Sequence, residues 1–475
     1  MRRFSHIALI ALFCACFSSA FAESTEAEAA TAEPTDAASI EQVAAKPKKN
    51  YLAAYANAQV SNLALFSINR FIRKADYATG VDFESMQTNC TSKWVWDQDE
   101  FSVNHLGHPY QGSFYYIAGR ANGLSFGESA LVALTGSVTW ELFYETETPS
   151  WNDLVLTPMG GIAVGEMLHR LYLEAEARNL PGSFLISPMD AFNGLVTGDK
   201  SQHQGSGIHS GELGLKAGFM NKWSDYEEKR NADIPESAVA FNIGYGLVYG
   251  DPYAHATRTP YSHFTQELAM TFAENYHSVV FFSDGLLASF APIDDEERRT
   301  TGGMSQHYDF MLKSHIKLAT TPLGLTVKHE RRYSNDALVQ IQAHVSWMPV
   351  AASDCIYLRY GNAPEPPEGE ERRDYDLATG PSVKLSIAAS QPVAGSLRLS
   401  CAWYGMKTIP ASVPDYGSGG KSMITIVDIS YERNISEEIA VGLSNSFFSK
   451  LGSYSDKPSI DERTNLSSCY LRYLF

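Results

Sequence analysis

The chain has 475 residues, 44% of them hydrophobic and 19% charged, with 37 Lys and Arg against 54 Asp and Glu for a formal net charge of −17. An acid excess of that size argues against a nucleic-acid partner. Past the first twenty or so residues no long apolar run occurs, which excludes a bundle of membrane-spanning helices.

Arg2 and Arg3 precede an apolar run from Ile7 to Phe17, and Ala20-Phe21-Ala22 forms a small-x-small cleavage site. Residues 1–22 therefore read as a secretory signal peptide, with Glu23 as the mature start. Residues 23–49 are rich in Ala, Glu and Thr with Pro34 and Pro47, and lack the large apolar residues a core needs. They read as a disordered linker. Residues 50–200 read as a helical domain of three to four helices. Tyr51 to Ala75 is amphipathic, and Arg70, Arg73 and Lys74 suit a helix C-terminus.

Three further helices are expected between Trp94 and Ala177. Pro109 fits a first helical position, and Asn122-Gly123 fits a stop. Ser125-x-x-Glu128 is a capping box that opens a helix reaching about Thr146. Ser150-x-x-Asp153 opens the next, with Pro158 expected to kink it. Gly161-x-x-x-Gly165 predicts a close helix crossing.

The helical block carries polar side chains at intervals that would bury them, which costs free energy unless they are paired. Ser129, Ala133, Ser137, Glu141 and Glu145 recur every four residues, so small side chains lead to two carboxylates on one helix face. Two such acids repel, and His105, His108, His169, Arg120 and Arg170 are the cations nearby in sequence. The ordinary reading is a buried ion-pair network. The sharper one is a site, with His105, His108, Glu141, Glu145 and Asp153 as catalytic candidates and Ser113, Asn152, Glu166, His169 and Arg170 as ligand-binding candidates. Glu166-x-x-His169 is half of a carboxylate-bridged di-metal motif. Its second half is missing, so no metal site and no cofactor is expected. Nothing around Ser113 resembles a nucleophile elbow.

From residue 201 to 475 the pattern changes to period two. Val239, Phe241, Ile243, Tyr245, Leu247 and Tyr249 alternate with small or polar residues. Val339, Ile341, Ala343, Val345 and Trp347 alternate with Gln340, Gln342, His344 and Ser346, and Val427, Ile429 and Tyr431 with Asp428, Ser430 and Glu432. Each such strand has one apolar and one polar face. A soluble sandwich would turn the apolar faces inward; a membrane barrel turns them outward around a polar lumen. The length of the runs and their aromatic ends favour a transmembrane antiparallel β-barrel of about twelve strands. The stretches 293–303, 361–379 and 452–463 are charged or Pro-rich and read as extracellular loops. Of six cysteines, Cys90, Cys355, Cys401 and Cys469 remain in the mature chain, with no zinc-like spacing.

Two resemblances extend this reading. The ending Leu471-Arg472-Tyr473-Leu474-Phe475 resembles the C-terminal signature of bacterial outer-membrane barrels. The run Trp96-Asp97-x-Asp99-x-Phe101, Asn104, His108-Pro109-Tyr110-x-Gly112-Ser113, then Trp140-Glu141, Pro149-Ser150-x-Asn152-Asp153 and Gly160-Gly161-x-x-x-Gly165-Glu166 resembles an uncharacterised bacterial family, domain of unknown function 3943. That likeness covers about residues 90–175. It implies an exported envelope protein and brings no activity with it.

The expectation is thus an outer-membrane barrel of a Gram-negative-type bacterium. Its expected role is transport, a channel or envelope maintenance, with the helical domain docking on or plugging the barrel. The alternative is a membrane-associated lipid-modifying enzyme that uses the His/Glu/Asp cluster. The partners expected are outer-membrane lipid, the barrel-assembly machinery and a small-molecule or lipid ligand, with no nucleic acid.

Overall fold

The computed structural model describes residues 48–198, 207–224, 236–253, 256–313, 316–354, 373–414 and 417–475. The signal peptide and nearly all of the linker lie outside them, as does Cys355. The chain forms two compact units, one of residues 1–97 with 107–207 and one of residues 98–106 with 208–475.

The first unit is helical. Four long helices carry it: α1 (Tyr51–Ser67), α4 (His108–Ala121), α5 (Phe126–Phe143) and α6 (Trp151–Ala177). Short helices α2 (Asp76–Thr79), α3 (Phe83–Thr91), α7 (Ser183–Ile186) and α8 (Pro188–Thr197) fill the gaps. Both expected caps form: Ser125 accepts from the Glu128 N–H, and Ser150 from the Asp153 N–H. α4 crosses α6 at backbone contact, because a Cβ on Gly161 would lie 2.4 Å from the Gly112 carbonyl carbon. Any side chain there would force the helices apart. Pro158 sits inside α6. His108 is the first residue of α4 although Pro109 follows it, because a π-helical turn, Val103–Gly107, runs straight into the helix.

The second unit is a closed antiparallel barrel. Its strands are β1 (Ile208–Ser224), β2 (Ser237–Tyr249), β3 (Phe264–Ala273), β4 (Tyr276–Asp294), β5 (Arg298–Lys313), β6 (Lys317–Thr320), β7 (Leu323–Arg332), β8 (Leu338–Asp354), β9 (Tyr375–Gln391), β10 (Gly395–Thr408), β11 (Gly420–Asn434), β12 (Ile439–Tyr454) and β13 (Ile460–Leu474). β6 and β7 both lie between β5 and β8 and act as one strand broken at Thr321-Pro322, so thirteen segments make twelve staves. Pro lacks the N–H that a continuous ladder would need. β1 pairs with β13, from Glu212↔Leu474 to Ser224↔Glu462, and closes the ring.

One parity holds around the whole ring. Leu215, Phe241, Leu325, Val345, Leu385, Leu399, Ile429 and Leu443 are exposed on the outside. Lys222, Asn242, Asp284, His307, Lys328, His344, Lys450 and Glu462 are buried on the inside. That inverts a soluble core and identifies a membrane barrel. Every stave exceeds the roughly ten residues that a tilted membrane strand needs or just meets it. No helix among the described residues is long and apolar enough to cross a membrane.

Two segments of this unit lie on the outward side of the strands. In the first, Phe101 packs 5.6 Å from the Phe310 ring, Asn104 Nδ2 donates to Tyr375 Oη at 2.7 Å, and Tyr375 Oη donates to the Asp99 carbonyl at 2.9 Å. Sequence reading left these residues in the helical block. In the second, the β2–β3 connection, Tyr261 Oη donates to Gln306 Oε1 at 3.2 Å.

The three loops expected on one side do not share a side. Residues 293–303 form the β4–β5 hairpin, which alternation of strand direction places at the end where β1 begins and β13 finishes. The β8–β9 and β12–β13 connections lie at the other end. The hairpin is charged because its turn ties itself together: Arg298 Nη2 lies 2.9 Å from Asp295 Oδ2.

Candidate functional site

Of the candidates named from sequence, the helical unit gathers Glu141, Asp153 and His108. Glu141 is buried at the end of the small-residue stripe Ser129, Ala133 and Ser137, and its Oε2 accepts from the Ser150 N–H at 2.7 Å. No cation among the described residues pairs with it. Burial pushes its carboxyl up to about 8, against the pull of the Ser150 N–H, so the neutralising cation is a proton. Asp153 is raised in the same direction by burial and by Asp97. His108 Nε2 stands 3.7 Å from Asp153 Oδ1, and burial lowers its pKa. Burial thus disfavours the charged form of both partners, which weakens them as an ion pair.

The other candidates go elsewhere. α5 ends at Phe143, so Glu145 leaves the helix face and accepts instead from Trp140 Nε1 at 2.9 Å. His105 belongs to the barrel unit, with its ring 5.2 Å from that of Tyr375. Arg120 and Arg170, expected near Glu141, both bind Glu166, at 2.7 and 2.9 Å. Burial alone would raise the Glu166 carboxyl, but the two guanidiniums hold it below the usual range. His169 Nδ1 pairs with Asp190 Oδ1 at 2.8 Å, which commits both halves of the Glu-x-x-His sequence to structural partners. Ser113 Oγ donates to the Tyr110 carbonyl at 2.6 Å. Asn152 Oδ1 accepts from the Asp97 N–H at 3.0 Å and pins the stretch before residue 98 to the start of α6.

The barrel lumen holds the charged groups that sequence reading did not single out. Toward the end where β5 leads into β6, Met311, Ile316, Leu318, Met348, Met406, Ile424 and Phe448 form one apolar cluster, and the charges of Lys313 and of the buried Asp354 and Lys450 lie at the same level. The cluster reaches across the ring. β5 and β12 stand six staves apart in either direction, yet Lys313 Nζ lies 4.1 Å from the Phe448 ring centroid. Ionic links also tie strands that are not neighbours. Asp309 on β5 accepts from Lys384 on β9 at 2.6 Å and from Tyr404 on β10 at 3.0 Å. Lys450 on β12 donates to Asp354 on β8 at 2.8 Å.

Next to Asp309 lies a cluster of Asp284, His307 and His344, whose ligand-type atoms fall within 4.8 Å of one another. Lys328 Nζ sits 2.9 Å from Asp284 Oδ2 and 2.6 Å from His263 Nε2. The only sequence signal for these residues is their place at polar positions of alternating strands, which His344 shares with Gln342 and Ser346.

Residues 93–189 match the family model described as Domain of unknown function (DUF3943). No curated protein matches the chain. Among solved structures, a NanC porin is 9% identical over 55% of this chain and 98% of that one, with a TM-score of 0.28. The monoaromatic hydrocarbon channel TodX, as a deltaS2 mutant, is 7% identical over 59% and 93%, with a TM-score of 0.26. A KdgM porin is 6% identical over 55% and 98%, with a TM-score of 0.23. The closed ring with apolar residues outside and charges inside makes the chain an outer-membrane β-barrel protein, with the DUF3943 match falling on residues 93–189 ahead of the barrel strands.

Proposed function

We propose that the barrel carries small polar or ionic solutes across the outer membrane and rests closed. The layered lumen supports this reading above all. Charged groups line most of it, and at one level an apolar cluster joins opposite walls through Met311 and Phe448, beside the buried Asp354–Lys450 pair. An apolar constriction excludes water and so blocks ions until its side chains part. Ion pairs also cross the lumen, Asp309–Lys384 from β5 to β9 and Asp354–Lys450 from β8 to β12. Buried ion pairs give little net stability against an apolar replacement. Their presence in the lumen therefore fits a need for charge along a path better than a need for rigidity.

The test is conductance of the full chain in planar bilayers. The parent should be closed most of the time, and a Met311→Ala, Phe448→Ala double variant should conduct steadily. If both stay silent while migrating as folded barrels, the transport reading falls and a structural anchor takes its place.

A further inference from the structure

The geometry points to a binding site in the lumen for a divalent transition-metal ion, held by Asp284, His307 and His344, with Lys328 as its built-in competitor. Nothing in the transport reading is needed for this, since the site would exist in a barrel that carried nothing.

The donor set comes first. Two imidazoles and one carboxylate suit first-row divalent ions, and three strands supply them: β4, β5 and β8. The separations are close to what one ion requires. Asp284 Oδ1 lies 3.8 Å from His307 Nδ1, and Asp284 Oδ2 lies 3.8 Å from His344 Nε2. Ligands held at about 2.1 Å from a metal can be no more than about 4.2 Å apart, so binding draws in donor atoms that now lie within 4.8 Å of one another.

The hydrogen bonds fix which ring nitrogens are unprotonated. Lys384 Nζ can only donate, and it stands 3.3 Å from His307 Nδ1, so that nitrogen is unprotonated and its lone pair faces the ammonium, which an ion bound there must also displace. The proton then sits on Nε2, which Ser305 Oγ accepts at 3.2 Å. An acceptor that fixes the far side of a ligand imidazole is the usual support around a metal, and here a hydroxyl takes that place. On the other side, His263 Nδ1 faces the Tyr249 and Gly250 carbonyls at 3.0 and 3.2 Å. Carbonyl oxygens only accept, so Nδ1 carries the proton and Nε2 is left as a fourth potential donor atom.

Within this cluster, and among the described residues, two buried atoms have no hydrogen-bond partner. They are Asp284 Oδ1 and His344 Nδ1, on residues that are 8% and 7% exposed. A buried carboxylate oxygen can only accept, so what it lacks is a donor or a cation. An anion would leave it worse off.

Lys328 shows where a cation goes. Its ammonium bridges Asp284 Oδ2 and His263 Nε2, which places one positive charge among these donors. A metal ion and that ammonium cannot share Asp284 without strong repulsion. Binding therefore displaces Lys328, and the side chain's four-carbon stem gives it room to swing away.

Zinc is the probe. Tag-free full-length protein in detergent is dialysed against Zn²⁺, its metal content is measured, and affinity is read by titration calorimetry. Each variant is first shown to migrate as a folded barrel. The parent should take up one ion per chain, and His344→Ala and Asp284→Asn should lose it. Ser305→Ala should weaken binding by about 10- to 100-fold. Lys328→Met should tighten it, a change that a purely structural lysine would not produce. Uptake by neither the parent nor Lys328→Met overturns the site. Uptake by Lys328→Met alone also overturns it, because Lys328 is then a permanent occupant.

Discussion

Glu141 sits near the end of α5 with its carboxyl against the Ser150 N–H, and burial keeps it protonated up to about pH 8. A group whose folded pKa exceeds its free value near 4.5 binds more protons folded than unfolded. Its contribution is complete below about pH 4.5 and is lost as pH rises through about 8. Glu141→Gln keeps the acceptor and abolishes the charge. Above pH 8 the variant should be more stable than the parent, by on the order of a few kcal/mol. Thermal melts of the full chain at pH 5 and pH 9 would decide it, and a variant that melts lower at both would sink the idea. Sequence spacing correctly put Glu141 on a packed face. It could not show how deep that face lies, so it called for a cation where a proton serves. The residues called on instead, Arg120 and Arg170, answer Glu166, because the turn of α6 brings Glu166 and Arg170 together.

At the level of elements, the strands were the most legible part. Alternation needs no partner to be visible, and Val427, Ile429 and Tyr431 of β11 do take the outward side. Ile429 is 45% exposed there, while inward Asp428 accepts a hydrogen bond from Ser446. A Lys or Arg on the lipid face costs about 2–4 kcal/mol at the midplane. Ile429→Arg should therefore lower the yield of assembled barrel well below that of Ser430→Arg, as read by heat-modifiable migration on gels. Equal yields would contradict the register. What the pattern did not reveal was each hairpin's side of the membrane. A charged turn looks the same at either end, and only counting staves through the break at Thr321-Pro322 separates them. The lumenal cluster was hidden for a related reason. Asp284, His307, Lys328 and His344 are far apart in sequence, and each is merely one polar residue on a polar face. Pairings such as Asp284↔His307 and Thr326↔His344 bring them together.

As a whole molecule the protein belongs to the outer membrane, since a closed ring with an apolar exterior is stable only in lipid. Envelope fractionation should recover it with the outer membrane, and unboiled samples should run differently from boiled ones. Recovery in the soluble periplasm would contradict the barrel. The ring depends on contacts between distant parts of the chain. Arg472 meets Glu212 across 260 residues, and such long-range closure is slow to form.

The stretch Gln98–Leu106 adds a timetable to that slowness. Its partners Tyr308 and Tyr375 lie 203 and 271 residues later in the chain than His105 and Asn104. A chain is made and exported from its N-terminus, so this stretch emerges long before the wall it rests on. Phe101 has no Phe310 to bury against until β5 has been delivered, and Asn104 has no phenol to bind until β9 follows. Until then the stretch lacks the partners that bury it in the finished barrel. Its disappearance from the solvent marks the moment when strands β5 to β9 have come together. A chain halted before β9 would carry the strip exposed, as a visible sign of unfinished assembly.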